Sequence, residues 1–395
     1  MALPPQARRL RFGIAGMSSD HVWGMGDGLA ALPEVELVAG AEPYPELRQR
    51  ATAQWGLART YESFTTMLDQ EELDAVLVCT DNASKADVAE AAARRGVHVY
   101  QDKPMAATLA QAERILRVAQ ESGITLMVAY HSAFSPLYDQ AKALIQAGAI
   151  GRVYLARGVT GHSGPREFGC SEYFCEWLFD AHRNGGGAFV DEACYLLDAF
   201  VDYLGPVVEV SAFTAPIGHR DYLPPGVEDN AVAILRFASG ALGVIDAKWG
   251  QVGPAPLRTS YHGVQGTLIS GPAGTDLYST AAPAVPPDWA PLEVPPGRGG
   301  PGGGAVAERE SERGGRLAGR GGRPPEGLRA WRAGAGREAG SGRGGREQRT
   351  FVDCLLGGRQ IEGAASPRVA RDVQEVIEAV YRSAGSGRAL RLPLD

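Results

Sequence analysis

Residues 10–21 read Leu10-Arg11-Phe12-Gly13-Ile14-Ala15-Gly16-Met17-Ser18-Ser19-Asp20-His21. A mostly apolar run, Leu10 to Ala15, meets a glycine and then small and polar residues, and an amphipathic stretch follows from His21 to Leu32. That is a buried strand passing through a tight turn into a helix. The pattern then repeats. Strands are expected at Glu36 to Ala41, Ala75 to Cys79, Val97 to Tyr100 and Thr125 to Ala129, with helices at Pro45 to Trp55, Lys85 to Arg95 and Leu109 to Ser122. Alternating strands and helices make βα units around a parallel sheet. This α/β domain is expected over residues 1–130.

From residue 131 the pattern changes. A helix from Leu137 to Gln146 ends at Ala147-Gly148, and a strand starts near Gly151-Arg152-Val153. Longer segments of period two follow at Val207 to Phe213, Ala231 to Phe237, Ala241 to Lys248 and Leu257 to Tyr261, with Ser239-Gly240 as a hairpin turn. Residues 131–395 are therefore expected to form an α+β domain on a largely antiparallel open sheet. Its last helix, Pro367 to Ser383, carries Val369, Val373, Val376, Ile377 and Val380 on one stripe. Residues 298–349 do not fit. They hold a dozen arginines against half as many glutamates, no lysine and no sustained periodicity. The stretch reads either as an unfolded surface insertion or as a local frameshift in a GC-rich gene.

The bulk numbers narrow the function. A chain of 395 residues exceeds one ordinary core, which agrees with two domains. A net charge of −7 argues against a nucleic-acid partner. Five cysteines without a C-x-x-C suggest neither a disulfide framework nor a thiolate zinc site. His162 and His182 have no neighbour at metal-ligand spacing, so no metal is expected. With no 18-residue apolar run and no apolar leader, a cytoplasmic protein without a membrane partner is expected.

Two motifs carry the chemistry. Asp102-Lys103-Pro104 follows the strand Val97 to Tyr100, and Gly185-Gly186-Gly187 opens a helix bearing Asp191, Tyr195 and Asp198 at i, i+4 and i+7, on one side. A lysine at a strand end, facing a phenol and a carboxylate, suits alcohol–carbonyl redox chemistry. One group handles the proton and its neighbours set that group's pKa. Lys103 is expected to lower the pKa of the Tyr195 phenol so that it serves as the base, with Asp191 orienting the substrate or Lys103.

The first turn suits a dinucleotide pyrophosphate at a helix N-terminus. Gly13, Ala15, Gly16, Ser18, Ser19 and His21 are the candidates there, although the spacing departs from G-x-G-x-x-G. Glu42 ends the second strand, where an acid accepts ribose hydroxyls and repels a 2′-phosphate, favouring NAD; Arg48 and Arg50 keep NADP open. Thr80, Asn82, Asp102 and Lys103 complete the cofactor set. Trp177, Asp180 and Arg183 are candidates for lining a sugar pocket, Trp177 reading equally as core. Lys248-Trp249 reads as pocket or subunit interface.

Taken together, these residues resemble the glucose–fructose oxidoreductase / inositol dehydrogenase / MocA family of sugar and polyol oxidoreductases. Asp102-Lys103-Pro104 is similar to its Glu-Lys-Pro, and Gly185 to Asp198 to its G-G-G-x-x-x-D-x-G-x-H-x-x-D, with Tyr195 for the histidine and Ala193 for the glycine. Asp81-Asn82 stands for its Pro-Asn, and Lys85 for a nearby histidine. The resemblance implies a Rossmann-type domain, NAD(P), a sugar or polyol substrate, and a homo-dimer or homo-tetramer joined through the antiparallel sheet. It also admits redox-neutral NAD-dependent glycoside cleavage, and a non-catalytic NAD-binding protein stays open.

Overall fold

The computed structural model describes residues 8–218, 221–252, 258–271, 274–280 and 345–394, and the backbone of 290–292. Six strands form the first sheet: β1 (Leu10–Ala15), β2 (Val35–Ala41), β3 (Arg59–Tyr61), β4 (Ala75–Val78), β5 (His98–Asp102) and β6 (Leu126–Ala129). All pairs are parallel and the order is β3-β2-β1-β4-β5-β6. β4 is buried at every position, which is why it reads as an unbroken apolar run. Helices α1 (His21–Ala30), α2 (Pro45–Trp55), α3 (Phe64–Gln70), α4 (Lys85–Ala93) and α5 (Leu109–Ser122) connect the strands. β3 and α3 are too short to have shown a period in the sequence. α5 starts on a capping box between Thr108 and Gln111.

Past β6 come a 3₁₀ turn (His131–Phe134), α6 (Pro136–Gln146), β7 (Val153–Gly161) and three short helices, α7 (Pro165–Phe168), α8 (Glu172–Leu178) and α9 (Ala181–Asn184). A π-helical turn, Phe189–Ala193, runs into α10 (Cys194–Leu204). The second sheet adds β8 (Val207–Ala215), β9 (Asn230–Phe237), β10 (Leu242–Lys248), β11 (Arg258–Gly263), β12 (Gly266–Gly271), β13 (Gly274–Ser279) and β14 (Ala290–Leu292). The chain closes with α11 (Arg346–Leu356), α12 (Pro367–Ser386) and β15 (Leu390–Arg391). Strand order is β14-β13-β12-β11-β7-β10-β9-β8-β15, antiparallel except for the β7–β10 pair. One face packs on α10 and α12, where Leu196, Leu197, Phe200, Val373, Ile377 and Val380 are buried. α12 also packs on α5, so one helix serves both units. On the other face Phe213, Val232, Asp246 and Val159 stand side by side across four strands.

The irregular stretch read in the sequence needs a correction at its end. Residues 298–344 lie outside the described residues, but Arg346–Arg349 begin α11, with Glu347 and Gln348 buried. Glu347 accepts from Tyr100 of β5, and Arg349 pairs with Glu34. These partners are far away in sequence, so composition alone hid the helix. Phe351 fixes α11 to the first sheet, its ring 5.3 Å from Tyr100 and 6.1 Å from Phe12. Phe351 is fully buried, so Phe351→Ala is expected to cost about 3–5 kcal/mol in urea unfolding. A loss below about 1 kcal/mol would mean that α11 does not pack there.

Candidate functional site

The order of the first sheet reverses between β1 and β4, and such a reversal opens a crevice at the strands' C-terminal ends. Gly16 turns the chain there at φ 86°, and a Cβ on it would stand 2.5 Å from the Thr80 nitrogen. No other residue fits that crossing. Gly13 lies inside β1, where a Cβ would stand 2.7 Å from Leu73 Cδ1; its smallness serves packing. Ala15 is buried at the strand end and Ser18 nearly so in the turn.

Several polar candidates have other work than the sequence assigned. The Ser19 hydroxyl, expected to face a phosphate, is fully buried and donates to Asp102 Oδ2 at 2.9 Å. Glu42, far from a solvated acid, is buried and accepts from the Met17 N–H at 2.6 Å and the Tyr44 N–H at 3.2 Å. Burial raises its carboxyl, with these N–H groups pulling back. Arg48 donates to the carbonyls of Glu42 and Pro43, and Arg50 stacks on Trp23 at 3.6 Å. The Thr80 hydroxyl donates to the Asp81 carbonyl. Asn82 is buried with its amide on Asn184, so its side chain joins the two units and does not face the crevice.

Of the sugar-pocket trio, Asp180 and Arg183 change role and Trp177 takes the core reading. Trp177 is core, packed edge-on against Phe174 in a cluster with Trp249. Asp180 caps α9 by accepting from the His182 and Arg183 N–H groups. Arg183 pairs with Asp81 at 3.0 Å. Together with Ser171 N–H on Asp20 at 2.7 Å and Tyr44 on Glu176 at 2.6 Å, it ties α8, α9 and the residue before α8 across three loops of the crevice rim. These polar side chains hold the backbone or bridge the units.

At the end of β5 the two units meet. Lys103 is buried and its Nζ donates to Asp191 Oδ1 at 2.8 Å and to the Asp191 carbonyl at 2.9 Å. Burial lowers an amine, but Asp191 outweighs it and holds Lys103 well above its usual value. Burial likewise raises the Asp191 carboxyl, and Lys103 more than reverses this. The pair is an ammonium and a carboxylate. Trp249, which sequence reasoning left undecided, is fully buried and donates from Nε1 to Asp191 Oδ2 at 3.1 Å.

Tyr195 lies over the same amine, with Lys103 Nζ 4.5 Å from its ring centroid. This corrects the expected phenolate. The ammonium faces the ring, and burial raises the phenol well above its ordinary value, with Lys103 only partly offsetting it. By surface area Tyr195 is half-buried. Asp198 turns to Ser132 at 3.4 Å, and burial raises its carboxyl. Tyr195 also borders a cavity of about 140 Å³ lined by Ser132, Tyr138, Tyr203, Thr259 and Tyr261.

The helix carrying Asp191 has a built N-terminus. A Cβ on Gly186 would meet the Tyr381 ring at 2.2 Å, and one on Gly187 the Glu228 carbonyl at 2.0 Å. Through that gap Glu228 accepts from the Gly187 and Phe189 N–H groups at 2.8 Å, and the Tyr381 oxygen accepts from Gly187 and Val190. A carboxylate and a hydroxyl thus satisfy the orphan donors. No local signal in the sequence marks Glu228 or Tyr381 for this.

Two imidazoles flank the pair. His162 accepts from the Gly164 N–H at Nδ1, so Nε2 carries the proton toward Glu192, 3.1 Å away. Burial lowers His162 but Glu192 reverses the shift upward. His21 stands 3.0 Å from Asp102, edge-on to His131, which pairs with Glu347. Burial raises Asp102, yet His21, Lys85 and Lys103 hold it far below the carboxylate range. Ligand atoms of His21, Asp102 and His131, and of His162, Asp191 and Glu192, lie within 4.8 Å of one another. In the second group the Lys103 ammonium already holds the aspartate, and in the first the Asp102 carboxylate is engaged by Ser19 and His21.

Residues 10–130 match the family described as an oxidoreductase family with an NAD-binding Rossmann fold, and residues 138–269 match the GFO/IDH/MocA C-terminal domain. The chain is 27% identical to levoglucosan dehydrogenase of Pseudarthrobacter phenanthrenivorans over 60% of its own length and 65% of that protein. It is 27% identical to myo-inositol 2-dehydrogenase of Thermotoga maritima over 48% of its length and 54% of the relative. These alignments thus span less than two thirds of either relative. Levoglucosan dehydrogenase in complex with NADH and levoglucosan has the same fold, with a TM-score of 0.77 at 20% identity over 98% of this chain and all of that one. With its two halves matched in order by the family's two domains, the chain belongs to the GFO/IDH/MocA oxidoreductase family.

Proposed function

We propose that the protein transfers a hydride between NAD and a hydroxyl-bearing carbon of a sugar, polyol or related small molecule. The observation that carries this reading is the buried Lys103–Asp191 pair under the Tyr195 ring at the C-terminal end of β5. The crevice fits the cofactor: Gly16 allows close backbone approach before a helix N-terminus, and buried Glu42 ends β2 where a ribose edge would lie. When bound, the nicotinamide supplies the site that gains or gives the hydride.

The residues do the rest. An ammonium has three N–H donors, and Lys103 commits two to Asp191, which leaves one for a substrate oxygen. That bond steadies the developing alkoxide when the alcohol proton leaves. Asp191, kept ionised, is the acceptor next to that oxygen. Tyr195 covers the amine with its ring and offers its hydroxyl to the substrate. The cavity beside Tyr195, mostly apolar with the Ser132 and Thr259 side chains in its lining, is of a size for a small molecule. Glu42, together with the engagement of Arg48 on backbone carbonyls, supports NAD over NADP.

The five cysteines are free, as a reducing compartment maintains them, which supports a cytoplasmic setting. Among the described residues no helix is long and apolar enough to cross a membrane. The open sheet face exposes Phe213 (78%), Ile234 (52%) and Val232 (40%), an apolar patch that supports self-association through this face.

Three outcomes are expected. In an NADH absorbance screen over polyols and aldoses, Lys103→Met lowers kcat/KM by about 100- to 10,000-fold, whereas Tyr195→Phe, which keeps the ring, loses no more than about tenfold. Wild-type rates in Lys103→Met would overturn this chemistry, and glycoside cleavage without net NADH would point to the redox-neutral alternative. The wild type prefers NAD to NADP by at least about tenfold in kcat/KM, and Glu42→Gln narrows that ratio; an unchanged ratio removes Glu42 from cofactor choice. In sedimentation the wild type runs as a dimer or tetramer and Phe213→Glu/Ile234→Glu shifts toward the monomer, a result that a monomeric wild type would exclude.

A further inference from the structure

Lys85 is fully buried at the first position of α4, and the chemistry proposed above makes no use of it. Its Nζ lies 2.8 Å from the Asn82 Oδ1, 2.8 Å from the Asp102 carbonyl, 3.0 Å from the Lys103 carbonyl and 2.9 Å from the Pro104 carbonyl. Four oxygens face three N–H donors, so the amine has no donor left for a substrate. Its cage consists of the three consecutive carbonyls around Lys103, at and beyond the end of β5. Buried carbonyls need donors, and here one side chain supplies them all.

The cage continues into the other unit. Asn82 Nδ2 donates to the Asn184 carbonyl at 3.0 Å and to its Oδ1 at 2.8 Å, and Asn184 Nδ2 donates to the Gly186 carbonyl at 2.8 Å. Lys85, Asn82 and Asn184 are each at most 1% exposed. A dry chain of three side chains thus runs from the carbonyls flanking Lys103 to the glycine turn that opens the helix of Asp191. Burial draws the Lys85 amine down to about 8, with Asp102 pulling the other way. A buried charge is costly unless it is paired and hydrogen-bonded, and this one is bonded on every side.

We infer that Lys85 is a positioning residue: with Asn82 and Asn184 it forms a strut between the units that fixes the Lys103 backbone against the glycine turn and so sets Lys103 opposite Asp191. The inference rests on the proposed role of the Lys103–Asp191 pair for its catalytic consequence, but its geometric content stands apart from any substrate.

The test uses the full chain with two variants. Lys85→Met keeps the length and removes the donors; Asn184→Ala breaks the far end of the strut and leaves the cage intact. The first readout is amine labelling of Lys103, followed by mass spectrometry on the cofactor-free protein. The second is kcat against KM for NAD. Release of Lys103 speeds its labelling by about tenfold or more and lowers kcat by up to about 100-fold, the scale of a 1 Å misplacement, while KM for NAD changes less than about threefold. Folded variants that bind NAD with labelling and kcat within about twofold of wild type would overturn the strut. If Lys85→Met does not fold, Asn184→Ala decides alone. A wild type that oxidises no polyol, yet whose Lys103 is protected only while the strut is whole, would sink the oxidoreductase reading and keep this one.

Discussion

The contact between Lys103 and Asp191 joins the unit that holds the crevice to the unit that closes it. Both side chains are buried, so neither charge is dissolved by water. A buried ion pair is held together less by its own attraction than by the cost of breaking it, because losing one partner strands the other; that cost is about 3–5 kcal/mol. The surrounding structure reads as the means of making that pair tolerable. Asp191 has a second donor in Trp249, and Lys103 has the ring of Tyr195 over it. The relative placement of the units is then a property of the site as much as of their cores.

Charge around the pair alternates and does not accumulate. Asp102 has His21 beside it and a serine hydroxyl on it, Lys85 lies in a cage of oxygens, and Glu192 accepts from the His162 Nε2–H. Each carboxylate is held ionised or hydrogen-bonded by a neighbour from a different element. Asp102 is the clearest case. Burial alone would raise it, and His21 of α1, Lys85 of α4 and Lys103 at the end of β5 turn the sign. Such a network in a low-dielectric setting is unforgiving of a missing member. That explains why it is braced by α11 through Glu347 and by α12 through Tyr381, helices that begin more than 200 residues after β5.

What could be read in the sequence was local. The alternation of strands and helices in the first unit, the period-two strands of the second, and the two motifs bearing Lys103 and Asp191 all express short-range periodicity or turn chemistry, and the structure builds them nearly as expected. The rest was hidden because its meaning comes from distant partners. Glu228 looks like a surface acid until its carboxylate is seen against the Gly187 and Phe189 N–H groups. Glu347 lay in a stretch whose composition reads as irregular. Ser19, Asn82 and Asp180 lie near the motifs, where a polar side chain reads as a ligand contact, and Trp177 reads as pocket and core alike. Their hydrogen bonds and packing instead serve the frame that positions those motifs. The π-helical turn before α10 has no periodic signature at all.

The position of Lys103 over the Tyr195 ring decides how the two groups influence one another. A phenol lowered by a neighbouring ammonium must meet that ammonium near its oxygen, because the charge it stabilises is there. Here the ammonium meets the ring, where its attraction is to the quadrupole and acts equally on the neutral phenol. Desolvation then decides, and it favours the uncharged hydroxyl. The same exclusion of water that pushes the Tyr195 phenol up strengthens the bond between Lys103 and Asp191. The aromatic ring contributes the dry environment in which a paired ammonium can still direct a donor at a substrate oxygen.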